Sequence, residues 1–173
     1  REIAEGTELG REIGNGAAAV GRAQNHARVP VVKGQAIPAW DPRPIKSVGF
    51  TYCTSPMGAD HTAGLVVELG QADDEALLVS RESQLVNAVV DSSGFCQFLM
   101  PNLDEVRTFY SHFLGEEVSR DEIVDQGWQC LEDEWAFNRR AGLGAEHDLM
   151  PRCMEQDAIG PQKLVWDVSA ELV

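Results

Sequence analysis

Two short polar segments carry the side chains of this sequence that are best suited to chemistry. In the first, His61 follows a run of small and turn-forming residues (54–60). Its imidazole changes charge near neutral pH and is therefore a candidate proton donor or acceptor. In the second, Asp91 and Cys96 place a carboxylate and a thiol within six residues. Because a thiolate is both a nucleophile and a metal ligand, this segment is a candidate for covalent chemistry or metal binding.

Each segment also has a purely structural interpretation, which residue spacing alone favours. His61 would cap or bridge the backbone of its own loop. The second segment would end a helix, with Gly94 in the left-handed conformation and Cys96 as a small buried hydrophobic residue. Both interpretations stay open at both places.

The remaining cysteines and histidines are weaker candidates for functional residues. The four cysteines are far apart and form no CxxC pair, so reduced thiols are expected. Cys130 lies within a predicted helix and is expected in the core, whereas Cys53 and Cys153 lack a neighbouring metal ligand. His112 and His147 are expected at the surface. The sequence contains no nucleotide-binding loop, no HExxH, no GxSxG and no run of closely spaced iron–sulfur cysteines.

Composition narrows the class of protein. The chain has 14 Lys and Arg against 28 Asp and Glu, a net charge of -14, which argues against nucleic acid as a partner. No apolar stretch approaches the roughly 20 residues needed to cross a bilayer, and residues 1–16 are too polar for a signal peptide. We therefore expect a cytoplasmic protein. The chain starts without Met in the middle of a pattern, so a fragment of a longer protein is expected.

Helical patterns dominate the second half of the chain. Asn102 and Glu105 predict a capped helix that ends at Gly115. Ser119 and Glu122 predict a second one that continues to about residue 138, with one apolar stripe formed by Val124, Trp128, Leu131 and Trp135. Residues 74–90 predict a further helix, and residues 45–52 a short one.

The first half and the tail are less regular. To about residue 24 we expect one or two short helices broken by Gly10, Gly14 and Gly16. Prolines in residues 26–44 allow at most an edge strand or linker at 29–32. The tail after Gly142 is expected to be irregular, with one helical turn near 152–156. The predicted fold class is mainly α, an irregular multi-helix bundle with long Pro/Gly-rich loops and little or no sheet.

Four segments match, in order, the motifs of one enzyme family. Residues 33–43 (KGQAIPAWDPR) resemble its KG-x-E-x-P-x-x-DPR segment, and residues 52–61 (YCTSPMGADH) resemble YATS-x-RGA-x-H. Residues 91–97 (DSSGFCQ) resemble the cofactor motif D-x-x-G-L-C/D, and residues 137–151 resemble the closing FN-x-R-x-G and D-x-LP. The chain is thus similar to the C-terminal region of the aldehyde:ferredoxin oxidoreductases, which are tungsten- or molybdenum-pterin enzymes.

This resemblance implies roles for individual residues. Asp91 would hydrogen-bond to the pterin, the backbone at Gly94 and Phe95 would contact it, and Cys96 would be the fourth ligand of a 4Fe-4S cluster. His61 would lie near the metal, where it orients the aldehyde or moves a proton. Phe95 stands where the family usually has Leu.

The resemblance also implies a domain organisation and partners. Residues 1–28 would end the family's middle helical domain, and residues 29–173 would form its C-terminal helical domain. The full-length enzyme would hold a tungsten- or molybdenum-bis-pterin and a 4Fe-4S cluster. It would oxidise a small aldehyde or related carbonyl compound to the acid and pass electrons to ferredoxin. The upstream domains of the same polypeptide would complete the site, so this fragment alone is expected to bind neither cofactor and to be inactive.

Two alternatives to this enzyme remain on the sequence. The chain could be a noncatalytic helical interaction domain that has kept the fold without the cofactor. It could instead be a small hydrolase in which Cys53 or Cys96 is the nucleophile and His61 the base, although no oxyanion loop is recognisable.

Overall fold

The computed structural model describes all residues, 1–173. Side-chain caps fix the start of the two helices that the capping boxes predict. Asn102 Oδ1 accepts a hydrogen bond from the backbone N–H of Glu105 at 3.0 Å, and the Glu105 carboxylate accepts one from the backbone N–H of Asn102 at 2.8 Å. Gly115 ends this helix with φ of 75°. Ser119 and Glu122 form the same reciprocal cap. Both predicted capping boxes are therefore confirmed.

The chain forms eight α-helices and one two-stranded hairpin, which confirms the predicted fold class. The helices are α1 (Glu2–Glu5), α2 (Glu8–Gly14), α3 (Gly16–Ala23), α4 (Lys46–Thr54), α5 (Asp73–Ser93), α6 (Leu103–Leu114), α7 (Arg120–Arg140) and α8 (Arg152–Gln156). Strands β1 (Val31–Val32) and β2 (Gln35–Ala36) pair antiparallel, with Val32 opposite Gln35. None of the helices combines the length and the apolar character that crossing a membrane requires.

Helix α5 is longer than the sequence pattern indicates. It runs to Ser93 and not to residue 90, and Gly94 with φ of 76° ends it in the predicted left-handed conformation. Asp91 therefore lies in the last turn of a helix and not in a polar loop. Because the backbone of a helix is fixed by its hydrogen bonds, the direction of the Asp91 side chain is set by α5.

The N-terminal segment differs from the prediction. It forms three short helices, and the chain breaks at Gly6 and Thr7 and again at Asn15. Gly10 does not break a helix but lies inside α2, where a Cβ atom would come within 1.9 Å of the Glu2 carbonyl oxygen. Close contact between α1 and α2 thus requires glycine at this position.

A tight turn joins β1 to β2. Lys33 and Gly34 both have positive φ, 50° and 80°, as a two-residue hairpin turn requires. The Lys33 side chain is only 5% exposed, and its Nζ lies 2.6 Å from Asp148 Oδ1. It also donates to the carbonyl of Cys53 at the end of α4. The hairpin, α4 and the tail of the chain therefore meet at one buried ammonium group.

The core has two parts. The first surrounds α4 and consists of buried residues from the hairpin, α4 and the tail, chiefly Val32, Ile45, Val48, Phe50, Tyr52, Cys53, Met150, Met154 and Trp166. Trp166 packs edge-on against Phe50, and a Cβ at Gly49 would lie 2.1 Å from its ring. The second part joins α5, α6 and α7 through Val89, Val90, Leu103, Val106 and Ile123.

The buried face of α7 is centred one residue before the predicted stripe. Leu131 is buried as predicted, but the residues buried with it are Ile123 and Gly127, while Trp128 and Trp135 are half-buried. A Cβ at Gly127 would lie 2.7 Å from side-chain atoms of both Leu85 and Val89. The missing side chain lets α5 approach α7 closely, and this contact sets the rotation of the helix.

Candidate functional site

Residues 54–62, called here the histidine loop, leave the C-terminal end of α4 and are held by side chains of α7. The indole N–H of Trp135 donates to the carbonyl of Thr54 at 2.9 Å, and Asn138 Nδ2 donates to the carbonyl of Pro56 at 2.7 Å. Carbonyl groups at a helix C-terminus lack partners within the helix. Donors from α7 therefore satisfy them and fix the start of the loop.

Asp60 fixes the other end of the histidine loop. Its carboxylate accepts hydrogen bonds at 2.7 Å from both the backbone N–H and the hydroxyl of Thr62, and at 3.0 Å from Gln35 Nε2. Burial alone would raise the pKa of Asp60, but the donors from Thr62 and Gln35 outweigh it, so that the pKa is lowered. The group is an anion at neutral pH.

The side chain of His61 makes no hydrogen bond, and its nearest charged neighbour is Asp60. The His61 side chain is 39% exposed, and its Nδ1 lies 3.9 Å from Asp60 Oδ1, beyond hydrogen-bonding distance. The structural interpretation, in which His61 bonds to the loop backbone, is not what the structure shows. The backbone on both sides of His61 is fixed, while the ring is free to meet another molecule.

Residues 94–100, called here the cysteine loop, follow α5. Cys96 is exposed, so its interpretation as a small buried hydrophobic residue is wrong. The ring of Phe95 packs edge-on against Phe109 of α6, with ring centroids 4.9 Å apart. Leucine would also fill such an apolar contact, which explains how Phe95 is tolerated.

A shared acceptor connects the two loops. The carbonyl of Thr62, the residue after His61, accepts a hydrogen bond from Gln97 Nε2 at 3.0 Å. It also accepts one from Asn87 Nδ2 of α5 at 2.9 Å. The structure thus brings together the neighbours of two predicted site residues that lie far apart in the sequence.

Asp91 faces a pocket between α5, α7 and the histidine loop. The pocket has a volume of about 210 Å³, and its polar lining includes Asp91, Ser92, Cys130 and Glu134. Cys130 is half-buried at this wall, so the prediction that it lies in the core is wrong. The buried face of α7 is centred one residue earlier than predicted, and Cys130 faces α5. Neither His61 nor Cys96 lines the pocket, although Ala63 does.

Two carboxyl groups of this pocket have perturbed pKa values. Burial raises the pKa of Asp91. Burial and then the negative charge of Asp91 raise the pKa of Glu134, although the Cys130 thiol donates to it at 3.9 Å. The pocket therefore disfavours additional negative charge and suits a ligand that presents N–H donors.

The remaining thiols do not form a metal site within this chain. No group of three or more His, Cys, Asp or Glu side chains is arranged to hold a metal ion. Cys53 is buried in the core, and burial raises its pKa to about 12. Because a nucleophilic cysteine must reach the thiolate form near neutral pH, Cys53 is unsuited to the hydrolase alternative.

The remaining predictions about histidines concern the surface. His112 is exposed, as expected. His147 is half-buried instead, because it ends a short turn and its Nδ1 accepts a hydrogen bond from the backbone N–H of Gly144 at 3.2 Å.

Comparison with known families identifies the class of protein. The family model described as "Aldehyde ferredoxin oxidoreductase, domains 2 & 3" matches residues 1–171. The chain therefore belongs to the aldehyde ferredoxin oxidoreductase family.

Individual relatives are more distant. The chain is 25% identical over 179 residues to a tungsten-containing aldehyde ferredoxin oxidoreductase of Pyrococcus furiosus, a match covering 94% of this chain and 30% of that protein. It is 28% identical over 148 residues to the protein of the same name from Pyrococcus abyssi, covering 76% of this chain and 24% of that protein. A third relative of this name, from Thermococcus kodakarensis, is 26% identical. The chain spans less than a third of the length of these relatives.

Proposed function

We propose that this chain is the C-terminal region of a longer tungsten- or molybdenum-pterin, 4Fe-4S oxidoreductase. The enzyme oxidises an aldehyde or related carbonyl compound to the acid and passes the electrons to ferredoxin. The observation that carries this proposal is the pair of hydrogen bonds on the Thr62 carbonyl, since they hold the histidine loop against α5 and the cysteine loop. Asp91 and Cys96 remain exposed beside this junction.

The cofactor roles follow from chemistry at the end of α5. Asp91, which lines the pocket between α5 and α7, would accept hydrogen bonds from N–H groups of the pterin ring, and the backbone at Gly94 and Phe95 would contact the same ring. A Cβ atom at Gly94 would meet no other atom within 4 Å, so this stretch of backbone is open to a ligand. Cys96 supplies one thiolate to the cluster. When bound, these groups supply two-electron oxidation at the metal and single-electron transfer through the cluster.

His61 acts on the substrate. Oxidation of an aldehyde to an acid consumes a water molecule and releases two electrons and two protons. An imidazole whose ring is accessible can orient the carbonyl group or take one of these protons. The fixed backbone around His61 keeps the ring within a small volume, as such a role requires.

Upstream domains of the same polypeptide complete the site. The cysteine loop ends in three strongly exposed apolar residues, Phe98 at 97%, Leu99 at 69% and Met100 at 84%. Exposed apolar patches of this kind mark interaction surfaces. The relatives have more than twice as much chain outside the matched region as within it. We place this surface against the upstream part, which supplies the other cluster thiolates. Residues 29–173 are then the C-terminal domain, and residues 1–28 end the preceding one.

Substitution of the cluster ligand tests the proposal. In the full-length polypeptide, Cys96→Ser is expected to lower iron content and to change or abolish the paramagnetic resonance signal of the reduced cluster. Cys153→Ser is the matched control, since Cys153 is a partly buried free thiol that packs against the first core and lines neither candidate loop nor the Asp91 pocket. Iron content and signal equal to those of the wild type in Cys96→Ser would refute the assignment. Purification of the full-length polypeptide without iron, tungsten, molybdenum or pterin would favour the noncatalytic interaction domain.

A further inference from the structure

Gln97 is the residue of the cysteine loop that reaches the histidine loop. It immediately follows Cys96, and its side-chain amide donates to the carbonyl of Thr62, which immediately follows His61. Thirty-five residues separate donor and acceptor in the sequence. No other hydrogen bond of the chain joins these two loops.

The backbone of Gln97 is itself held in place. Its carbonyl accepts a hydrogen bond from the N–H of Met100 at 2.9 Å, and the carbonyl of Cys96 accepts one from the N–H of Leu99 at 2.9 Å. Residues 97–99 consequently form a single helical turn. Because the base of the side chain is fixed, its amide transmits the position of Cys96 to Thr62.

The acceptor is equally well held. Thr62 lies in the short turn His61–Ala63, which Asp60 caps through the Thr62 N–H. Asn87 donates to the same Thr62 carbonyl from α5 and so fixes the turn relative to that helix. Asn87 and Asp91 both belong to α5, so the hydrogen bond from Asn87 can position His61 relative to Asp91. Only Gln97 links the turn of His61 to the loop of Cys96.

We propose that Gln97 is a positioning residue, which holds the imidazole of His61 in register with the thiolate of Cys96. This inference rests on the proposed function. A displacement of either loop would change the distance between the group that handles the proton and the ligand of the centre that receives the electrons. A shift of about 1 Å in such a geometry is enough to slow an enzyme substantially.

The test compares Gln97→Met with Gln129→Met in the full-length holoenzyme. Methionine keeps the length of the side chain but has no N–H donor. Gln129 is an exposed residue of α7 whose amide bonds only to Asp133 in its own helix. Three quantities are measured: amide hydrogen exchange in peptides covering residues 60–64, iron content, and kcat and KM for a small aldehyde.

In Gln97→Met we expect faster exchange at residues 60–64 and a fall in kcat of about tenfold. Iron content should be unchanged, because Cys96 is still present, and KM should change little. Gln129→Met should match the wild type in all three. A combined Gln97→Met and Asn87→Leu variant should exchange faster than the sum of the two separate effects predicts, since it alone leaves the Thr62 carbonyl with no donor.

Two results would overturn the inference. One is exchange at residues 60–64 in Gln97→Met equal to that in Gln129→Met. The other is a loss of kcat that parallels a loss of iron, which would show that Gln97 merely maintains the cluster loop. If the wild-type holoenzyme oxidises no aldehyde, the proposed function fails, while the exchange measurement still decides whether Gln97 holds the turn.

Discussion

Substitution of Gly49 by alanine should destabilise the protein although alanine favours helices. Gly49 lies inside α4, where replacing glycine contributes up to about 1 kcal/mol of helix stability. The new Cβ, however, would lie 2.1 Å from Cζ3 and 2.6 Å from Cη2 of Trp166, and 2.9 Å from Cβ of Pro42. An indole ring cannot bend, so Trp166 must leave its position against Phe50.

The size of the effect follows from what Trp166 loses. Trp166 is only 4% exposed. Removal of a buried aromatic side chain lowers the free energy of unfolding by about 3–5 kcal/mol. Subtracting the gain in helix propensity leaves a net loss of about 2–4 kcal/mol. This is a large part of the 5–15 kcal/mol that is usual for a domain. We expect a lower midpoint of urea unfolding by circular dichroism and red-shifted tryptophan fluorescence.

Gly14→Ala is the matched control. Gly14 ends helix α2, and its added Cβ would make only an ordinary contact, 3.5 Å from Ile3 Cγ2. This variant should be as stable as the wild type or slightly more stable. Equal stability of Gly49→Ala and Gly14→Ala would refute the packing of Trp166 on α4. In a Trp166→Leu background the penalty at Gly49 should largely disappear, because the clashing ring is absent.

Three further substitutions probe the site. Asp91→Asn should stabilise the protein at pH 7 by on the order of half a kcal/mol, because burial raises the pKa of the Asp91 carboxyl in the folded protein and so disfavours its charged form. Urea unfolding should show this difference in stability vanish below about pH 4, where Asp91 is protonated in both the folded and the unfolded protein. Asp60→Asn should do the opposite and cost about 1 kcal/mol at pH 7. The pKa of Asp60 is lower in the folded protein than in the unfolded chain, so the carboxylate contributes its full stabilisation above the unfolded-state pKa and loses it as the pH falls through the folded-state pKa. Equal stability of Asp60→Asn and the wild type at neutral pH would contradict this prediction. Trp135→Phe removes the donor to the Thr54 carbonyl and should speed amide exchange in residues 55–60. Trp128→Phe is the control, because the indole N–H of Trp128 makes no hydrogen bond, and it should leave this exchange unchanged. Equal exchange in the two variants would count against the role of α7.

The sequence predicts local features of this fold well. The bounds of α6 and α7 follow from Asn102, Ser119 and their partners, since a cap is an interaction within four residues. The stop at Gly94 follows in the same way, because only glycine takes its φ readily. Residue types and family motifs also select the two candidate segments around His61 and Cys96, whose functional roles stay predictions.

Features that depend on distant residues could not be predicted. The rotation of α7 is set by the close approach of α5 at Gly127, and nothing in the pattern of apolar residues distinguishes such a glycine from a weak point in a helix. Trp135 was assigned only to an apolar stripe, although its N–H also serves the loop. The role of Gln97 was missed for the same reason. A polar side chain gives no local signal of an acceptor 35 residues away.

The hydrogen bonds from α7 to the histidine loop also bear on how the protein is made. Trp135 and Asn138 follow their acceptors by 81 and 82 residues. During synthesis, which proceeds from the N-terminus, residues 54–62 leave the ribosome well before their anchors exist. Contacts of such long range form late, since closing the intervening chain must come first. A nascent chain that stops before Trp135 would hold the hairpin and α4 but would lack both the anchors of the histidine loop and the tail residues Met150, Met154 and Trp166 of the first core. The loop would therefore reach its final position only after translation of α7.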